Sequence, residues 1–294
     1  VDDPIARLGR RIANGEAKLE FENNGMGHLR SLLKSLGVGI DSQVLVFSQT
    51  SFQAPRISPG SPRAIYFGDN VSVGWVRGGE VLELASVDPK QGVIFYTLDI
   101  DDVAKPRFDR RDNSCLQCHH QGGTLGVPGI FVRSVYPEPS GMPMFQAGGF
   151  LTDHRSPMKE RWGGWYVTGK HGQQLHRGNL VGAGAFEHQL KEPNYLGNVT
   201  DLSRFFDVTR YLKNQSDIVA LMVLGHQVYV ENQITELGYA ARKAIYDAKS
   251  VGSTAAYEKE ANKLVDALLL VGEARLTSAI SGTSGFAEAF QKRG

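Results

Sequence analysis

The chain has 294 residues, 41% hydrophobic and 21% charged, which is ordinary globular composition with room for a sizeable core. Its 32 lysines and arginines nearly balance 31 aspartates and glutamates, and a net charge of +1 gives no electrostatic case for nucleic acid or an anionic membrane surface. No apolar run approaches the roughly 18–20 residues that span a bilayer.

The opening stretch, VDDPIARLGRRIANGEAKLE, starts on Val as a mature or trimmed product does, and lacks the basic-then-apolar profile of a signal peptide. It reads as a helix: Asp3 caps, Pro4 suits the first helical position, and Ile5, Leu8 and Ile12 share a face. A second short helix, GHLRSLLKSLGVG, ends at Gly37 or Gly39. From Gln43 to Leu98 the pattern turns to strands: QVLVFS, RAIYFG, VSVGWV, EVLELA and GVIFYTL, the last four set off by the turn sequences GDN, RGGE and DPKQG. These predict an antiparallel sheet of four or five strands.

Residues 106–200 are dense in Gly, Pro and His and carry little periodicity, as befits a segment organised by a bound group rather than by its own core. Beyond residue 200 the helical period returns. DIVALMVLGHQVYVENQITELGYAARKAIYDAK reads as a long helix capped by Ser216 or Asp217, and TAAYEKEANKLVDALLLVGEARL as another capped by Ser253 or Thr254. The tail SAISGTSGFAEAFQKRG shows no closing element and reads as a frayed or truncated end. The expectation is one α+β unit over 1–294, with an antiparallel sheet in the first third, an irregular binding segment over 106–180, and a layer of long C-terminal helices over 200–280.

The chain's two cysteines fall in RRDNSCLQCHHQGG, where Cys115, Cys118 and His119 spell C-x-x-C-H. That is the signature of c-type haem attachment. Two thiols add across the porphyrin vinyl groups as thioethers, two intervening residues let one turn of chain reach both, and the adjacent imidazole ligates iron. Here the sequence resembles the c-type cytochromes. Around the motif, FDRRDNSCLQCH, GVPGIFVRSVYP and MKERWGGWYVTGKHG resemble large single-haem cytochrome c-like proteins of bacteria. The resemblance implies one covalent haem c, maturation outside the cytoplasmic membrane and hence a periplasmic protein. Three rivals remain: a zinc site joining Cys115 and Cys118 to His171 and His176, a thioredoxin-like dithiol, and two structural cysteines.

Function then turns on the iron's other axial position, which a strong ligand fills for electron transfer and an open site leaves for catalysis or gas binding. His226 is the favoured metal ligand, set among Val219, Met222, Val223 and Val230 on the long helix, and His154 is the second candidate. Met142, Met144 and Met158 follow the motif in the order small cytochromes use. Arg155 and Arg161 suit haem propionates by their forked donors, and Trp162 suits the macrocycle face. His120 points away from the iron, while His171, His176 and His188 belong on the surface unless they bind zinc. The haem is expected between the 106–180 segment and the helix bearing His226. The leading reading is a periplasmic electron-transfer protein serving a redox partner protein or a small-molecule substrate. A haem enzyme, peroxidase-like or a small-molecule oxidoreductase, and a haem-based gas sensor are the alternatives.

Overall fold

Each of the five β-branched runs becomes a strand, in a computed structural model that describes residues 1–103, 106–248 and 254–293. These are β1 (Val44–Val46), β2 (Arg63–Phe67), β3 (Val71–Trp75), β4 (Val81–Asp88) and β5 (Gly92–Asp99). Antiparallel pairing joins them in sequence order, with Ile65 opposite Gly74 and Gly74 opposite Glu83. Two further strands come from the irregular segment: β6 (Phe108–Arg110) extends one edge beside β5, and β9 (Trp165–Tyr166) closes the other beside β1. Among the described residues the sheet therefore has seven strands. A separate hairpin pairs β7 (Arg133–Val135) with β8 (Gly149–Leu151).

Alternation along the strands gives the sheet two different faces. One is aliphatic and aromatic, with Ala64, Tyr66, Val73, Trp75, Leu82, Leu84, Tyr96 and Leu98. Against it pack α1 (Pro4–Ala13) and α2 (Leu29–Ser35) through Ile5, Leu8, Leu29, Leu32 and Leu33. Asp3 caps α1 by accepting from the Ile5 and Ala6 amides, and α2 gives way to Leu36 and a left-handed Gly37. The opposite face is uneven. At its β1–β2 end it packs Val44, Val46 and Phe67 against Trp162, Trp165, Leu221 and Leu224. Towards β5 it carries Gly74, Glu83, Phe95 and Thr97, which lie under the candidate site.

The region beyond β6 holds α3 (Asp112–His119) and α4 (Ala183–Lys191), with most of the rest in short turns. The long helix is α5 (Ile218–Ala248). Asp217, not Ser216, caps it, accepting from the Val219 and Ala220 amides at 2.7 and 3.2 Å. Ser216 instead bridges strands, donating to the Tyr166 carbonyl and accepting from the Leu45 amide. Further along, α5 runs past the hairpin ends: Gln227 donates to the Gly68 and Asp69 carbonyls, Tyr239 to Gln91, and Arg242 to Lys90. No helix among the described residues is long and apolar enough to cross a membrane.

Two expectations at the C-terminus change. The last long helix is shorter than its sequence pattern: α6 (Glu258–Leu268) starts after Tyr257, Thr254 belongs to a separate short turn, and Ser253 lies outside the described residues. It stops because Leu270 and Gly272 adopt left-handed backbone, which lets the Ala274 amide donate to the His154 carbonyl. Nor is the tail frayed. The second carboxylate oxygen of Asp217 accepts from the Thr283 and Ser284 amides, and Phe286, opening α7 (Phe286–Gln291), is buried against Phe67.

Candidate functional site

The C-x-x-C-H motif is helical. In α3, Cys115 and Cys118 stand three residues apart on neighbouring turns of one face, and His119 sits four beyond Cys115. β5 seats this helix from both ends: the Arg111 amide donates to the Phe95 carbonyl, Arg111 Nε to the Thr97 hydroxyl, and the Phe95 ring meets the His119 ring 4.7 Å away. Phe131 also stacks on His119, with centroids 5.3 Å apart. Both cysteines are free thiols; Cys118 is exposed and Cys115 half-buried, with burial pushing its thiol pKa up.

His119 is held in one tautomer. Its Nδ1–H donates to the Gly129 carbonyl at 2.9 Å, and the Gly129 amide returns a 2.9 Å bond to the His119 carbonyl. Burial lowers the His119 pKa, against a smaller opposing push from the Gly129 bond, so the ring is neutral. Nε2 then carries the lone pair, and among the described residues it has no hydrogen-bond partner. The Gly129 segment is fixed in turn by α5: Asn232 accepts from the Ile130 amide and donates to its carbonyl, at 3.2 and 2.7 Å. A side chain at Gly129 would collide with that carboxamide.

Beside Phe131, the β7–β8 hairpin forms an open groove of about 220 Å³ lined by Arg133, Phe145, Phe150 and Leu151 among others. Phe145 is 64% exposed and Leu151 45%, an apolar surface that water solvates poorly. Arg133 lies over the Phe131 ring and supplies a cation at the groove. On the sheet below, Arg63 reaches across Gly74 to pair with Glu83 at 2.6 Å, and their charges act on both Cys115 and His119.

This donor set has the chemistry that a covalently held haem requires. Two free thiols lie on one helical face, a neutral imidazole with its ligating nitrogen unpaired lies one step away, and an exposed apolar wall bearing an arginine flanks it.

The remaining expected residues gather elsewhere. His154 and His226 meet each other, Nδ1 to Nδ1 at 3.1 Å, with Tyr229 5.7 Å from His154 by ring centroid. No hydrogen bond or ring contact among the described residues joins this pair to His119. Burial, reinforced by His154, lowers the His226 pKa. The buried stripe of α5 is Leu221, Leu224 and Val228, so His226 stands at its flank, not at the centre of an apolar face. Arg155 is paired to Asp153 at 2.6 Å, and Arg161 is buried with its guanidinium donating to the Ser156 and His154 carbonyls. Trp162 is buried and packs near His176. Met142 is 48% exposed on the loop preceding Phe145, Met144 is half-buried beside it, and Met158 is buried in the second core.

His120 donates to the Gly126 carbonyl through Nε2 and its ring is exposed, and His188 is exposed as expected. His171 and His176, expected at the surface, are instead buried side by side. The zinc arrangement does not form: among the described residues no three or more His, Cys, Asp or Glu converge.

Sequence reading missed Gly129, Asn232, Phe95 and Arg133. Gly129 lies in the recognisable run GVPGIF, but Asn232 reaches it from 102 residues away, and nothing in its own neighbourhood marks it. No protein-family model, curated protein or solved structure matches the chain.

Proposed function

We propose that this chain is a periplasmic, single-haem c-type redox protein, with Cys115 and Cys118 as the thioether positions and His119 as the proximal ligand. The observation that carries the reading is His119 itself, neutral, clamped through Nδ1 to the Gly129 carbonyl and with Nε2 unpaired, next to Cys118 and one helical turn from Cys115. A bound haem would supply one-electron chemistry. The chain's own residues do the rest: Phe95 and Phe131 orient the imidazole, Asn232 accepts from the Ile130 amide and so fixes the Gly129–Ile130 peptide whose carbonyl orients it, and Arg133 offers a cation suited to a propionate. The electron is exchanged with a redox partner protein or a small molecule.

A haem oxidoreductase is the second reading, favoured by the open groove of the β7–β8 hairpin, where Phe145 and Leu151 are both exposed. Production in a bacterial periplasm together with a c-type maturation system tests the first reading. A coloured protein with a c-type pyridine haemochrome, retained after denaturation and lost in Cys115→Ser/Cys118→Ser, is expected. Colourless protein from that host would sink it. Spectral change on adding CO to the reduced form would favour the enzyme reading over electron transfer.

A further inference from the structure

Beneath α3 the sheet carries an ion pair where an apolar core would ordinarily sit. Gly74 on β3 lies opposite Glu83 on β4, and Glu83 lies opposite Thr97 on β5. With no side chain at Gly74, the Arg63 guanidinium crosses β3 in that gap and meets Glu83 at 2.6 Å. A Cβ at position 74 would stand 2.5 Å from Arg63 Nη2.

The Arg63 and Glu83 side chains are only 20% and 12% exposed. Glu83 is satisfied at both oxygens, since Arg63 meets Oε2 and Gln53 Nε2 donates to Oε1 at 3.0 Å. Arg63 is not, because its Nε is sealed from solvent without a hydrogen-bond partner. Desolvating two charges offsets much of their attraction, and apolar residues of like volume often hold a fold as well or better. The pair therefore serves something beyond stability.

Its place in the sheet says what. The Thr97 hydroxyl beside Glu83 accepts from Arg111 Nε, and Arg111 directly precedes α3. Two residues back on the same face of β5, Phe95 meets the His119 ring. α3 buries none of its residues, so the helix lays no apolar layer of its own over the pair. Both charges reach Cys115 and His119: Arg63 favours the thiolate and disfavours the imidazolium, and Glu83 does the reverse. The other charges acting there, Arg111 and Arg133, stand before α3 and on β7. Among these groups Glu83 is the only anion.

We propose that the Arg63–Glu83 pair is the charge control of the motif. Arg63 favours negative charge on Cys115 and the reduced state of an iron bound to His119, and Glu83 opposes both. The statement about iron rests on the haem reading above, and the statement about Cys115 does not. Reduction removes one positive charge from the iron, so a fixed cation nearby raises the potential and a fixed anion lowers it.

The test uses the full chain and three variants, Arg63→Gln, Glu83→Gln and the two combined. In the haem-free chain with Cys118→Ser, the pH profile of iodoacetamide alkylation reads the Cys115 thiol alone. Arg63→Gln should lower its acid dissociation constant and Glu83→Gln should raise it, each by at least about threefold, with the double variant near the parent. In the haem-loaded chain, Arg63→Gln should lower the midpoint potential and Glu83→Gln raise it. Each shift should be at least about threefold in the reduced-to-oxidised ratio. A merely structural pair would move both single variants the same way, because either change would loosen the floor and admit water. Shifts of one sign, or none, in the thiol profile overturn the proposal for Cys115, and the same result in the potential overturns it for the iron. A chain that takes up no haem sinks the haem reading instead, and the thiol profile still decides. If Arg63→Gln fails to fold, Arg63→Lys, which keeps the charge, and Glu83→Gln decide. Parent-like values in the first and raised values in the second are expected, and any other pattern overturns the proposal.

Discussion

His119 and Gly129 hold each other twice, side chain to backbone and backbone to backbone, and Asn232 straps the next residue to α5. The orientation of one imidazole therefore depends on a helix far away in sequence. Asn232→Ala would strip partners from both the amide and the carbonyl of Ile130, and an unmet partly buried backbone group costs about 1–3 kcal/mol. We expect a stability loss of about 2–4 kcal/mol in urea unfolding. Nitrogen-15 spectra should also show His119 leaving its Nδ1–H tautomer for a mixture. An unchanged unfolding midpoint with an unchanged tautomer would mean that the strap is idle. The electronic consequence belongs to the same residue: in a haem-loaded protein, a looser Nδ1–H bond makes His119 a weaker donor, so the potential should rise in the variant.

Asp217 does at the element scale what Asn232 does for the residue. One carboxylate oxygen caps α5, and the other gathers the tail by accepting from two amides and the Ser284 hydroxyl. A lost cap alone costs about 1 kcal/mol, and charge-assisted bonds about 1.5–3 kcal/mol each before non-additivity. Asp217→Ala should therefore lower stability by about 3 kcal/mol or more. Limited proteolysis should then cut near Ser281 to Phe286 before any other site. Equal resistance of variant and parent would sink this account. The cap was legible because the acidic residue directly precedes the apolar period, yet its second task was not, since the tail partners lie more than 60 residues on. The same division holds for the strands. β1 to β5 declare themselves by β-branched runs between turn sequences, whereas β9 is the two residues Trp165–Tyr166, a strand only because β1 lies beside it. His171 and His176 follow suit: nothing local in KHGQQLHRG marks burial, which comes from packing against Trp162 and the 193–197 loop.

Across the whole molecule, the sheet divides its labour by face. One face is filled by α1 and α2, and the other carries the core under α5 at one end and α3 with its thiols at the other. α5 ties these together, so a titrating group on it reports on the fold as a unit. Glu231 is that group. Burial, with a smaller push from Asp69, raises its pKa to about 7, although Gln227 donates to its carboxylate at 3.0 Å. An unfolded glutamate titrates near 4.3, so the folded chain binds this proton more tightly than the unfolded one does. Its contribution to stability is thus fully present below about pH 4.3 and is lost as pH rises through about 7. At about 1.4 kcal/mol per pH unit of difference, the loss amounts to roughly 4 kcal/mol at most. Glu231→Gln retains the shape and the contact with Gln227 but cannot ionise. Urea unfolding from pH 5 to 8 should show the parent losing stability relative to this variant, with the gap widest at pH 8. Parallel curves across that range would place the Glu231 carboxylate in water after all, and with it the flank of α5 that faces the β2–β3 turn.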